Sequence, residues 1–227
     1  MRNIILIAPP AAGKGTQAKL LSSKYNIPHI SIGYLLRQSA TEQSEMGILI
    51  KQTIEAGALV PDNIVLNLLE KRIQEPDCNN GYILDGFPRN INQAESYLKI
   101  LQNLNKQLGD VILLNIPKET AKKRIIGRLS CTECGAVYND QFEETKPKRF
   151  GTCDLCNGSL TRRSDDKEKT FEDRYHIYEN QTYPLVNYFG NKGLLFTVGS
   201  GISKERTFNE IEKVINRGNI WLKQKKK

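Results

Sequence analysis

The sequence predicts an α/β fold built on a doubly wound parallel sheet of five strands. Three observations carry that expectation. Short apolar runs alternate with stretches of helical spacing along most of the chain. The run at residues 111–114 (Val-Ile-Leu-Leu) is unbroken by polar residues, as in strands covered on both faces. The first run, residues 4–7, leads through a turn directly into a helix start.

After that first strand comes a helix carrying Ala18, Leu20 and Leu21, then a short strand at residues 27–31 ending in a turn at Gly33. Gly33-Tyr34-Leu35-Leu36-Arg37 opens a second helical region. Met46, Ile48, Leu49 and Ile54 keep helical spacing until Gly57 and Pro61 interrupt it, and Asp62 is placed to cap the helix bearing Ile64, Leu66, Leu68 and Leu69. A strand at residues 82–85, a turn Gly86-Phe87-Pro88-Arg89 and a helix at residues 93–104 precede the apolar strand at 111–114. The fifth strand is expected at residues 194–198 and a closing helix around residues 209–215.

With 227 residues, 39% of them apolar and 26% charged, the chain has material for one core with insertions. The apolar run behind Met1-Arg2 is too short for a signal peptide, and no run approaches the ~20 apolar residues of a membrane span. A soluble, cytoplasmic protein is expected, with no membrane partner. The net charge of +8 is partly the terminal Lys223, Lys225, Lys226 and Lys227, which read as a frayed, solubilising tail rather than a nucleic-acid surface. His29 and His176 are the only histidines, so histidine-based catalysis has little material.

Chemistry concentrates in Ala8-Pro9-Pro10-Ala11-Ala12-Gly13-Lys14-Gly15-Thr16. A strand, a tight turn and a helix start aim successive backbone N–H groups and an ammonium at one point, a geometry suited to phosphate. The pattern departs from Gly-x-x-x-x-Gly-Lys-[Ser/Thr] at Ala8 and at Gly15, with the hydroxyl one residue later on Thr16. A plain strand followed by a Pro/Gly turn is the alternative reading of this stretch. In a doubly wound sheet ligands bind at the carboxyl ends of strands, so this loop and Asp85-Gly86-Phe87-Pro88-Arg89 fall on one rim.

Residues 130–162 break the alternation and are rich in Cys, Gly, Thr and Pro. Cys131-x-x-Cys134 and Cys153-x-x-Cys156 stand 18 residues apart, a spacing that matches a four-thiolate structural zinc site with no open ligand position. Two redox pairs or four unliganded thiols are the alternatives. Cys78, alone, is expected to be an incidental surface or half-buried thiol.

Gly13-Lys14-Gly15-Thr16, His29-Ile30-Ser31-x-Gly33, Asp85-Gly86-Phe87-Pro88-Arg89, and Arg163-x-Asp165-Asp166 followed by Arg174 fall in the order found in adenylate kinases. The chain resembles the long, zinc-bearing bacterial type of that family over almost its whole length. The resemblance implies a P-loop core at residues 1–30, 61–126 and 167–227, an NMP-binding insertion (for AMP) at 31–60, and a lid at 127–166 stabilised by Zn2+. It implies reversible phosphoryl transfer from MgATP to AMP giving two ADP, with Mg2+ carried by ATP, in a protein that is usually a monomer.

Residue roles follow from the same resemblance. ATP would be held by Ala11, Ala12, Gly13, Lys14, Gly15 and Thr16, by Arg124 and Arg128, and by Val137, Tyr138 and Gly201 near the base. AMP would meet Ile32, Arg37, Ala58, Leu59, Val60, Gly86, Phe87, Pro88, Arg89 and Gln93, with Arg163 and Arg174 shared with the moving phosphoryl group. Lys14, Asp85, Arg89, Arg128, Arg163 and Arg174 would carry catalysis, and Cys131, Cys134, Cys153 and Cys156 the metal. The AMP phosphate is already an anionic nucleophile, so the reaction needs alignment and charge neutralisation more than a base. Taken singly, each arginine also reads as a solvated surface charge.

The family usually has glycine at Ala8 and Ala11, threonine at Ile32, aspartate at Tyr34 and lysine at Gly201. A nucleoside monophosphate kinase with another acceptor or reduced activity is the alternative, and a zinc-ribbon nucleic-acid-binding protein a more distant one. A GTPase is disfavoured, since Asn105-Lys106-Gln107-Leu108 lacks the aspartate of the guanine motif.

Overall fold

The computed structural model describes residues 3–201 and 203–224, with side chains described to residue 217. Met1 and Arg2 and the terminal Lys225, Lys226 and Lys227 lie outside the described residues. The strands are β1 (Ile4–Ile7), β2 (His29–Ser31), β3 (Ile83–Asp85), β4 (Asp110–Asn115), β5 (Arg128–Cys131), β6 (Val137–Asn139), β7 (Leu160–Thr161) and β8 (Leu195–Gly199). The helices are α1 (Lys14–Tyr25), α2 (Ile32–Ser39), α3 (Glu45–Glu55), α4 (Asp62–Ile73), α5 (Ile91–Asn103), α6 (Lys118–Ile126), α7 (Glu168–Ile177), α8 (Pro184–Gly190) and α9 (Lys204–Gln224). A π-helical stretch, Tyr178–Thr182, joins α7 to α8.

Five strands form one parallel sheet in the order β2-β3-β1-β4-β8. Its apolar runs are continuous because each strand is buried twice. Alternate residues point to opposite faces. Ile5, Ile7, Leu84, Val111 and Leu113 enter one core with residues such as Leu36, Leu69, Tyr97 and Phe189. Ile4, Leu6, Ile83, Ile112 and Leu114 enter the other with Ala18, Leu21, Ile125, Phe171 and Ile211. Strand β1 lies between β3 and β4, so the loops leaving β1 and β3 emerge side by side.

The irregular segment folds as a separate antiparallel sheet in the order β6-β5-β7. Among the described residues its core holds only Leu129, Cys131, Cys153 and Leu160, with Ala136 and Tyr138 against them. No helix among the described residues is long and apolar enough to cross a membrane.

Four local expectations are corrected. Gly33 lies inside the first turn of α2 rather than in a turn before it, because the chain passes from β2 into the helix without a connecting loop. The cap position of α4 is Pro61, and Asp62 is the first helical residue; its carboxylate accepts hydrogen bonds from Asn90 and Gln93 instead of capping. Cys78 is fully buried, carried into the core by the short turn Pro76–Cys78, with Arg72 Nη1 donating to its Sγ at 3.1 Å. Burial pushes that thiol up to about 11. The last helix, Lys204–Gln224, is far longer than expected; on its N-terminal side the buried Thr207, and Phe208 packed against the core, carry it back a turn before Ile211, Val214 and Ile215.

Tyr82 and Tyr97 are fully buried and share a hydrogen bond of 2.7 Å between their hydroxyls. Tyr97→Phe leaves the Tyr82 hydroxyl without a partner and is expected to cost about 1–3 kcal/mol, read as a lower midpoint in urea unfolding. An unchanged midpoint would contradict this.

Candidate active site

The loop between β1 and α1 curls because two of its residues take left-handed backbone, Ala11 at φ 57° and Gly13 at φ 87°. Ala8 does not, so of the two alanines only Ala11 carries strain, of order 1 kcal/mol or more. The curl turns carbonyls inward, and Lys14 Nζ donates to the carbonyls of Ala8 at 2.9 Å and Pro9 at 3.2 Å. Ser200, a residue the motifs did not mark, braces the loop: its buried Oγ donates to the Ala12 carbonyl at 2.7 Å. Arg124 Nη1 in turn donates to the Ser200 carbonyl at 3.1 Å and lies over the Phe142 ring. Burial, opposed by Asp85 and reinforced by Arg89 and Arg128, brings Lys14 down to about 8.

Asp85 ends β3, in register with Leu6 of β1 and Ser31 of β2. A Cβ added at Gly15 would sit 3.4 Å from Asp85 Oδ2, so the carboxylate stands over the start of α1. The same oxygen accepts a hydrogen bond from His29 Nε2 at 3.2 Å. Burial raises the Asp85 pKa, but that bond and the charges of Lys14 and Arg89 outweigh it and hold the carboxyl below its ordinary range. Composition marked His29 only as one of two histidines; strand pairing gives it this contact.

Gly86, at φ 79°, lets the chain turn so that Arg89 folds back over it. Arg89 Nε donates to the Gly86 carbonyl at 2.9 Å, and a Cβ at Gly86 would lie 3.3 Å from Nη2. Ile32, Leu36, Leu59, Val60, Val65, Gly86, Arg89 and Gln93 line one small cavity beside it. Phe87 points away into the core, edge-on to Tyr97 with centroids 5.5 Å apart, and neither Pro88 nor Ala58 reaches the cavity lining. Arg37 folds over Gly33, whose added Cβ would be 3.4 Å from Nη1. Tyr34 is exposed, its hydroxyl accepting from Gln38 Nε2 at 3.0 Å.

The remaining arginines are aimed by aspartates. Arg128 grips Asp166 with two nitrogens, one at 2.7 Å, and the Asp166 side chain is completely buried. Arg174 Nη2 donates to Asp165, and Arg163 Nε to Ser130 Oγ at 3.3 Å. Burial lowers Arg37, Arg89 and Arg163, and neighbouring arginines lower them further; Arg163 falls to about 10. The charges of Arg37, Arg89, Arg128 and Arg174 thus act on Lys14, Arg37, Arg89 and Arg163 across one cleft. A buried concentration of like charge is costly unless an anion compensates it.

Two contacts close the cleft's edges. Lys19 Nζ of α1 donates to the Gly135 carbonyl at 3.2 Å, and Gly57 packs near Thr170 and Arg174 of α7. Val137 and Gly201 are exposed, as is Thr16. Tyr138 is committed elsewhere: its hydroxyl accepts from the Asp154 N–H at 2.9 Å and lies 3.5 Å from Cys153 Sγ.

The sulfurs of Cys131, Cys134, Cys153 and Cys156 all lie within 4.8 Å of one another. Cys131 and Cys156 are 3.4 Å apart and Cys134 and Cys153 3.6 Å. Thiolates about 2.3 Å from a tetrahedral ion are separated by ~3.8 Å, so the group is dimensioned to hold one metal ion. The backbone N–H of Cys134 draws the Cys131 thiol down and the Tyr138 hydroxyl with the N–H groups of Leu155 and Cys156 draws Cys153 to about 6, while hydrogen bonding to the neighbouring sulfurs pushes Cys156 up, so without a metal ion the group shares its protons unequally.

A family model described as "Adenylate kinase" matches residues 6–194. An adenylate kinase of Kosmotoga olearia is 46% identical over 211 residues, covering 93% of this chain and 97% of that protein. One from Archaeoglobus fulgidus is 43% identical over 215 residues, covering 95% and 98%. One from Clostridium botulinum is 42% identical over 214 residues, covering 94% and 98%.

A polyanion bound against Lys14 favours its protonated form. Binding of cyclic trimetaphosphate, whose acid groups are all ionised at these pH values, is therefore expected to take up protons at pH 8.5, and well below pH 8 to take up almost none through this group. Calorimetry in two buffers of different ionisation enthalpy checks this, and identical heats at pH 8.5 would refute it.

Proposed function

This chain belongs to the adenylate kinase family, and on that premise we propose that it catalyses reversible phosphoryl transfer from MgATP to AMP, giving two ADP, by direct in-line transfer. The supporting observation is the convergence of Lys14 and five arginines on one partly buried cleft, where the charges of Arg37, Arg89, Arg128 and Arg174 lower the proton affinity of Lys14, Arg37, Arg89 and Arg163. Two phosphate-bearing substrates are the complement such a cleft requires.

In this reading Lys14 and the N–H groups of residues 11–16 hold the ATP phosphates, joined by Arg124 and Arg128. Arg37 and Arg89 grip the AMP phosphate with planar forks. Arg163 and Arg174 neutralise charge on the phosphoryl group in transit. Asp85, kept ionised by His29, Lys14 and Arg89, suits the water shell of Mg2+. Mg2+ bound with ATP supplies further charge neutralisation at the phosphates. Residues 31–60 and 127–166 act as the mobile AMP-binding and lid parts; their contacts through Gly57 and through Gly135 exclude water, the competing acceptor. The protein acts as a monomer in the cytoplasm.

Ile32 supports a second reading. It places a methyl-bearing wall, 2% exposed, in the cavity where the family usually has a hydroxyl, and another monophosphate could then be the preferred acceptor.

ADP formation from MgATP and AMP, against CMP and UMP, separates the two readings. Robust AMP turnover is expected, and Arg89→Ala should lower kcat/KM about 100-fold or more, the loss of charge-assisted bonds worth ~3 kcal/mol. AMP turnover no better than CMP or UMP would overturn the first reading.

We also propose that the four cysteines hold structural Zn2+, which fixes a sheet whose own core is too small to do so. One zinc per chain is expected by elemental analysis, lost with a lower melting temperature in a Cys153→Ser, Cys156→Ser double variant. Purified protein with intact thiols and no metal would contradict it.

A further inference from the structure

We propose that Asp62 is a positioning residue that locks the Gln93 carboxamide in one orientation, so that the acceptor site reads a 6-aminopurine and rejects a 6-oxopurine. The inference rests on the acceptor-site reading given above. Of the residues lining the cavity, only Arg89 and Gln93 carry polar side chains; Ile32, Leu36, Leu59, Val60 and Val65 can pack against a base but not read its polar edge. Gln93 is 2% exposed, so any unused hydrogen-bonding capacity faces the interior.

Both ends of its amide are held. Oε1 accepts from the Arg89 N–H at 2.8 Å, and Nε2 donates to Asp62 Oδ1 at 2.6 Å. The backbone N–H can only donate and the carboxylate can only accept. Rotating the amide by half a turn would set Oε1 against the carboxylate and Nε2 against an N–H, replacing two hydrogen bonds with two repulsions. Asp62 is itself fixed: Asn90 Nδ2 donates to its two oxygens at 3.1 and 3.2 Å, while Asn90 Oδ1 accepts the Gln93 N–H at 2.7 Å and so caps α5.

A carboxamide has two N–H donors and two lone pairs. The lock uses one of each, leaving one lone pair on Oε1 and one N–H on Nε2 for a ligand. Adenine offers an amino donor beside a ring-nitrogen acceptor on either of its polar edges, which matches that pair. A 6-oxopurine places an acceptor oxygen where the amino group stood, directly against Oε1. A freely turning amide would accommodate both bases; a locked one leaves the wrong base with unpaired buried groups.

Calorimetric dissociation constants for AMP and IMP test the lock without requiring turnover. Wild-type protein is expected to bind AMP more tightly than IMP. In Asp62→Asn, whose amide can donate as well as accept, the ratio should shrink by about tenfold through tighter IMP binding. In Gln93→Leu discrimination should nearly vanish. A merely structural role for Asp62 would weaken both ligands alike and leave the ratio unchanged. Thermal melts identify folded variants, and Gln93→Leu decides if Asp62→Asn does not fold. An unchanged ratio in folded Asp62→Asn, a retained ratio in Gln93→Leu, or equal wild-type affinities would each overturn the proposal. Failure of wild-type protein to form ADP would overturn the transfer reading instead, and leaves the binding ratio to be judged by itself.

Discussion

Repulsion among the cations of one cleft is the constraint on which the rest of the site depends. Lys14, Arg37, Arg89, Arg128, Arg163 and Arg174 come from separate stretches of chain, and burial makes the charges of Lys14, Arg37, Arg89 and Arg163 costly. The structure tolerates this through partial compensation. Asp166 takes Arg128, Asp165 takes Arg174, and backbone carbonyls take Lys14 and Arg89. Enough positive potential is left over to select a ligand with many negative oxygens.

The same aspartates tie the small sheet to the core. Arg128 begins β5 and Asp166 lies just before α7, so their paired bonds join the two places where the chain enters and leaves the antiparallel sheet. A movement of that sheet would disturb Arg128, which couples the position of the sheet to the electrostatics of the cleft. The cysteine cluster has a complementary task. Leu129 and Leu160 are too little core to hold a sheet's shape, and four thiolates around one metal ion would hold it from within.

The departures from the family's usual residues fall unequally. Ala11 stands in left-handed backbone and carries a strain that glycine would not, whereas Ala8 is in ordinary conformation. Ile32 lines the same cavity as Gln93, where it adds apolar wall in place of a hydroxyl. Tyr34 turns to solvent and to Gln38, away from the Asp85 cluster.

Much of the molecule was legible from one dimension. The strand-helix alternation, the five parallel strands and the family follow from local patterns, since two-sided burial demands continuous apolar runs and phosphate loops demand particular residues at fixed spacing. The cysteine spacing likewise announced a cluster that the fold assembles. Where the reading erred, long-range packing overrode a local rule. Asp62 resembled a helix cap until Asn90 and Gln93 claimed it, and Cys78 resembled a surface thiol until a turn drew it into the core.

The sequence by itself therefore determined the fold class, the family and the inventory of charged groups, because these depend on residue type and on separations along the chain. Only the tertiary structure decided which groups face one another: His29 on Asp85, Ser200 under Ala12, and Asp62 on Gln93, which is 31 residues away. Such pairings are fixed by strand register and helix docking, and nothing in the local spacing of residues encodes the direction in which a side chain meets a distant partner.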